Sequence, residues 1–247
     1  MNYGKYTFRI GEWALYFVMW AGISGLFAYF FYRSLPAFAV MLLFSPFFLS
    51  YMKQKCAKNR RWKLKMQFAD ALLGLSTALQ SGNSIENSFR KTKEEMEKLH
   101  GKNSDIAKEL GIITKGLDNN LTIEELLNDF AKRSHVEEIE DFADLFAMGK
   151  RSGGNLRQVM ESCLETISES VEMQRQLRIN LSSKQLEFQI MGFVPFGILV
   201  YIGTTSAGFF DSLYHNLSGI LVMSGCFITY LSAYLWGMRI IEGISET

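Results

Sequence analysis

WALYFVMWAGISGLFAYFFY, residues 13–32, runs for 20 residues without a charged side chain, and its reading decides the fold. At 1.5 Å of rise per residue it makes about 30 Å of helix, the thickness of a bilayer's hydrocarbon core. A membrane span is therefore expected. As a signal peptide it would have too long an apolar core, and no A-x-A-like cleavage site follows it. After Arg33-Ser34-Leu35 a second uncharged run, Pro36 to Met52, carries Pro46 in its middle. That proline should kink the helix or free a carbonyl for a neighbour to satisfy. The two runs read as a hairpin over residues 1–52. At the other end, Ile190 to Phe210 (with Pro195) and Leu217 to Met238 are uncharged, and their connection Asp211–Asn216 lacks Lys and Arg. They predict a second hairpin over residues 188–247.

The charges lie between the hairpins, so a formal net charge of +1 conceals a polarised chain. Lys53, Lys55, Lys58, Arg60, Arg61, Lys63 and Lys65 follow the second run without one acid among them, whereas residues 66–187 carry 21 acids against 15 bases. Lys/Arg beside a span marks the cytoplasmic side. The basic stretch, residues 53–65, reads as a juxtamembrane linker that sets topology and touches anionic lipid. Four spans then place both termini in the cytoplasm and the tips near Ser34 and His215 outside. Trp13, Trp62 and Trp236 fall near expected boundaries, where indoles prefer to sit, although Trp62 reads equally well as packing in the following domain. The sequon Asn216-Leu217-Ser218 matters only in a glycosylating pathway.

Residues 66–187 contain no proline and hardly any β-branched alternation, and read as all-α. Phe68, Leu72, Leu75 and Leu79 form an apolar stripe that ends at Ser81-Gly82-Asn83. Ser84 caps a second helix, stopped by His100-Gly101. Ser104 opens a third, with Ile106, Leu110 and Ile113, stopping near Lys115-Gly116. Thr122 with Glu125 and Ser134 with Glu137 fit the capping-box pattern. A fifth helix bears Ile139, Phe142, Leu145 and Phe146 and breaks at Ser152-Gly153-Gly154, after which Asn155 caps a sixth. Short loops between consecutive helices favour antiparallel neighbours. The expected fold is all-α: four transmembrane helices in two hairpins flanking a cytoplasmic six-helix bundle.

Chemistry is not written here. The chain has no phosphate loop, paired catalytic carboxylates or nucleophile elbow, and Ser152-Gly153-Gly154 follows a helix rather than a strand. Cys56, Cys163 and Cys226, like His100, His135 and His215, stand apart from metal-ligand or redox spacing. No cofactor and no metal is expected, and the chain reads as a non-enzyme. The basic stretch beside a span favours lipid over nucleic acid. The acidic runs Glu94–Glu97 and Glu137–Asp144 read as solvated faces or as a dock for a basic partner. A transporter would usually show an ionisable residue inside a span, and these spans hold none. A signalling module would need kinase or cyclase motifs, which are missing.

Three stretches are similar to a known family. MQFADALLGLSTALQSGNSIENSF (66–89) resembles the opening of the type II secretion system F domain. LFAMGKRSGGNLRQVMESCLETI (145–167) resembles its second signature, and KQLEFQIMGFVPFGILVYI (184–202) its entry into the following span. With one such domain between paired spans, the chain looks closest to TadB/TadC-like platform proteins of tight-adherence (Flp) pili, Gly153-Gly154-Asn155-Leu156 favouring the TadB type. The resemblance implies a polytopic inner-membrane platform of a tight-adherence or type IV-like pilus, or of a type II secretion machine. Its implied partners are a cytoplasmic secretion or pilus ATPase, prepilin subunits, and a paralogous platform protein or a second copy of itself. The implied partner interface is Lys150, Arg151, Gly153, Gly154, Asn155 and Leu156. Lys150 departs from the pattern, since many two-domain members carry an acid there, and no role of that acid carries over.

Overall fold

The computed structural model describes Tyr3 and residues 10–28, 35–151, 156–206 and 217–244. Those residues are helical almost throughout, in the order α1 (Ile10–Phe27), α2 (Leu35–Leu42), α3 (Ser45–Gln80), α4 (Ile85–His100), α5 (Asp105–Asp118), α6 (Ile123–Ser134), α7 (Glu137–Arg151), α8 (Leu156–Thr205) and α9 (Leu217–Ile244). They form two compact units, Met1–Thr7 with Lys53–Gln174, and Phe8–Met52 with Arg175–Thr247. The basic stretch 53–65 is helical throughout, inside α3.

The first unit is a conventional core of amphipathic helices. Phe68, Leu72 and Leu75 of α3 are buried with Ile106 and Ile113 of α5, Phe130 of α6, and Phe142 and Phe146 of α7. Phe68 meets Phe130 and Phe142 edge to face, with centroids 6.1 and 5.6 Å apart, the geometry that aromatic quadrupoles favour. Each such ring contributes about 1.5–3 kcal/mol on leaving water. The helix ends follow local chemistry. Ser84 and Ser104 accept from Asn87 N–H and Ala107 N–H as N-caps, and Thr122 with Glu125 completes a reciprocal capping box. Gly82 and Gly101 sit at φ of 84° and 86°, where a side chain is disfavoured, and end α3 and α4.

Two expectations are corrected. Ser134 and Glu137 form no capping box: Ser134 closes α6, its hydroxyl donating to Ala131 O and accepting from Val136 N–H, and His135 turns the chain at φ 52°. A left-handed residue directly after Ser134 takes that serine out of the geometry that would cap α7. Nor does Gly116 stop α5, which continues to Asp118. A Cβ at Gly116 would stand 2.9 Å from Leu126 Cδ1 and 3.2 Å from its Cγ, so the glycine marks the close approach of Leu126 on α6.

The second unit inverts this pattern. Leu15, Val18, Phe47, Phe193 and Trp236 are all more than 60% exposed, while Phe27 packs against Phe196 and Phe227 with centroids 5.0 and 5.4 Å apart. An apolar exterior of this extent is untenable in water and natural in lipid. Two of its helices are long and apolar enough to cross a membrane, within Leu164–Thr205 and Ser218–Ile241. Pro46 acts as its chemistry requires. Having no N–H for Leu42, it stands in the first turn of α3, and α2 stops at Leu42. Leu43 and Phe44 bridge the break with N–H bonds to Val40 O and Met41 O, both 3.2 Å. Trp20 of α1 stacks on Phe48 at 4.7 Å and sends its indole N–H to Met41 O at 3.3 Å.

Candidate functional site

The outer face of α7 is a mixed one. Its buried side presents Ile139, Phe142, Ala143 and Phe146 to the core, which leaves Glu137, Glu140, Asp141, Asp144, Leu145 and Met148 exposed. Acids at the N-terminal end also suit the helix dipole. Lys150 and Arg151 close α7 and Leu156 opens α8, while Gly153, Gly154 and Asn155 lie outside the described residues. Ser152 lies outside them too, so the turn expected at residues 152–155 falls on residues that are not described, and the exposed acidic and apolar face of α7 precedes them in sequence.

The basic residues of α3 divide by helical face. Lys53, Lys55, Lys58 and Lys63 are exposed. Arg60 and Lys65 turn inward instead: Arg60 holds Asp105 through two hydrogen bonds of 3.0 and 2.8 Å, and Lys65 pairs with Glu138 on α7. Half-buried Arg61 lies between these two groups. Trp62 belongs to the same unit, with the Lys65 ammonium 5.8 Å from its ring. One stretch of seven cations thus serves two ends, an exposed basic face and two ion pairs that seat α3 in the core.

Sequence reasoning missed a buried polar cluster. Glu109 of α5 is fully buried, and its Oε1 accepts from the Tyr3 hydroxyl at 2.9 Å and from Arg133 Nη1 at 2.8 Å. Arg133 also donates to Asp129 at 2.8 Å. Burial opposes the Arg133 charge, but the hydrogen bonds and charges of Glu109 and Asp129 outweigh it and hold the guanidinium above its ordinary value. Burial first, and the Glu109 carboxylate second, push the Tyr3 phenol well above its usual range. The one available signal was a glutamate at Ile106+3, inside the apolar stripe of α5. Elsewhere His100 meets Asp70 at 2.9 Å and His135 is exposed, while His215 lies outside the described residues.

Among the described residues no group of His, Cys, Asp and Glu is placed to hold a metal ion. The core cavity lined by Phe68, Leu72, Phe89, Thr92 and Phe130 measures about 10 Å³, the room of a single water.

A family model for the type II secretion system (T2SS) protein F matches residues 71–204, more than half of the chain. The chain belongs to that family. T2SS protein F domains mark membrane platform proteins of type II secretion or type IV pilus-like machinery, which are non-enzymatic and work with secretion ATPases and pilins in an inner-membrane complex. No curated protein and no solved structure matches the chain. The T2SS protein F match begins within α3 and ends within α8, so it takes in the α7 face, Glu109 and Arg133. The basic stretch and Tyr3 lie ahead of it.

Proposed function

We propose that this T2SS protein F member is the platform of a tight-adherence (Flp) pilus, of the TadB type, coupling a cytoplasmic ATPase to the assembly of prepilin subunits. The carrying observation is the family match together with α8, a single helix that contributes to the compact core through Leu164, Ile167 and Val171 and is uncharged from Ile190 onward. A helix that belongs in sequence to both the cytoplasmic domain and a span suits a chain that passes on motion.

In this reading four spans form two hairpins, residues 1–52 and 188–247, and residues 66–187 form a six-helix bundle in the cytoplasm. Both termini are cytoplasmic, because the seven cations of 53–65 follow the second span. The ATPase docks on the outer face of α7 and the turn through Lys150, Arg151, Gly153, Gly154, Asn155 and Leu156. A dock that joins exposed acids to Leu145 and Met148 suits a partner with basic and apolar residues. Prepilins meet the apolar unit, as does a paralogue or a second copy.

Mild crosslinking of an epitope-tagged full chain in its own cells, followed by capture, tests the proposal. Recovery of a hexameric secretion ATPase and prepilin supports it. Recovery of a solute-transport or signalling complex without them sinks it.

A further inference from the structure

The seven cations of residues 53–65 differ in what they meet. Arg60 holds Asp105 through two hydrogen bonds of 3.0 and 2.8 Å, and Lys65 pairs with Glu138. Arg61, between them in sequence, has no hydrogen bond or ion pair among the described residues. It is half-buried all the same, with its Nε sealed from solvent. The Nη atoms are not sealed with it, so the guanidinium is packed along its inner edge and open at its outer end.

A cation held in this way is unsatisfied. Burial strips part of its hydration, and an opposing carboxylate or a set of acceptors is what normally offsets that cost. Arg60 and Lys65 have such carboxylates from α5 and α7. Arg61 receives none, although residues 66–187 carry 21 acids against 15 bases. Lys58 is exposed and lies one turn before Arg61 on the same face of α3. A planar fork and a point charge together match a phosphate group.

We propose that Arg61 and Lys58 bind the phosphate of an anionic phospholipid headgroup. The source of the phosphate follows from the place of the pair in the chain. Met52 ends the uncharged run 36–52, and Lys58 and Arg61 come six and nine positions after it. Lys and Arg within about 15–20 residues of a span act at the membrane surface, where anionic headgroups are concentrated. The headgroup supplies Arg61 with the anion that the protein does not. Lys53, Lys55 and Lys63, exposed along the same stretch, add only general attraction. The inference rests on the reading of residues 36–52 as a span, and it narrows lipid contact from a basic stretch to a site.

Thermal unfolding of the purified full chain in neutral detergent, titrated with phosphatidylglycerol, tests it. Each variant is read against its own lipid-free midpoint, which keeps changes in the stability of the fold out of the comparison. Phosphatidylglycerol should raise the wild-type midpoint and saturate, while phosphatidylcholine and inorganic phosphate should leave it in place. Arg61→Gln should weaken the apparent affinity for phosphatidylglycerol about tenfold or more. Arg61→Lys should fall between, because an ammonium keeps the charge but not the fork. Lys58→Gln should weaken it about fivefold. Lys63→Gln removes an exposed charge two positions beyond Arg61, on another face of the helix, and should change it less than about twofold.

Three outcomes overturn the proposal. Equal responses of the wild type and Arg61→Gln would take Arg61 out of lipid binding. A loss in Lys63→Gln as large as in Arg61→Gln would mean diffuse attraction by the whole basic stretch and no site. A shift reproduced by inorganic phosphate would make the ligand a soluble anion and not a headgroup. Hydrogen exchange over residues 36–52 in lipid vesicles reads the span separately, so a failed headgroup site and a failed span are distinguishable.

Discussion

The hydroxyl of Tyr230 on α9 donates to the carbonyl oxygen of Gly192 on α8 across 2.8 Å. Pro195 has no N–H for the carbonyl of Met191, and Gly192 is the next residue along, so α9 supplies a donor beside an interruption of α8. Trp20 serves Met41 in the same way beside the break ahead of Pro46. Replacing Tyr230 with Phe should lower stability by about 1 kcal/mol, the scale of an interhelical hydrogen bond in a membrane protein. Thr229→Val is the control, because the Thr229 hydroxyl only returns to Gly225 O on its own helix. Thermal unfolding in detergent should separate the two; equal midpoints would remove the Tyr230 bond from the packing of the unit.

Gly116 and Gly111 lie on the same helix, and substitutions there should act with opposite sign. A Cβ at Gly116 meets the buried Leu126 side chain, whereas one at Gly111 meets nothing nearer than Lys93 Cε at 3.8 Å. Gly116→Ala should therefore destabilise by about 1–3 kcal/mol through overpacking. Gly111→Ala should stabilise by about 0.5–1 kcal/mol by removing backbone freedom from the unfolded chain. Denaturant midpoints measure both, and a stabilising Gly116→Ala would refute the packing account.

Arg133→Met should be costly, about 3–5 kcal/mol, because it strands the fully buried Glu109 without its cation. Removing both charges, as Glu109→Met with Arg133→Met, should recover part of that loss. A double variant weaker than Arg133→Met alone would show that Glu109 does not depend on this pairing.

The raised pKa of Tyr3 sets a direction for pH. The folded protein favours the neutral phenol, so its contribution is whole below the ordinary value of 10.0 and is lost as pH rises through the higher folded value. Tyr3 should stay neutral and buried across neutral pH. Phenolate absorbance, titrated in the wild type and in Tyr3→Phe, should differ by one group that ionises later than an ordinary tyrosine. A difference curve centred at the ordinary value would contradict the burial.

Lys150→Glu and Arg151→Glu should abolish surface pili without lowering membrane level or thermal stability, since both belong to the proposed ATPase dock. Gly154→Val should lose stability instead, because the stretch Ser152-Gly153-Gly154-Asn155 has the composition of a turn, where a β-branched residue is disfavoured. Normal piliation in both charge reversals would take these side chains out of the interface.

What could be read in advance was whatever depends on neighbours in sequence. The caps at Ser84, Ser104 and Thr122 join residues three apart, and the break at Pro46 follows from one missing N–H, so the sequence alone determined them. The apolar runs likewise announced the membrane unit, because the bilayer acts on length and composition. Ser134 was different: its neighbour His135 enters the left-handed region, and the hydroxyl went to α6 rather than α7. Gly116 looked like a stop because spacing alone does not distinguish a glycine that ends a helix from one that admits a leucine. The Tyr3–Glu109 bond joins residues 106 apart, and no local preference encodes it. Only the packing of α3, α5 and α6 brought Arg60, Glu109 and Arg133 around one phenol, because a buried carboxylate must find its donors wherever the fold places them.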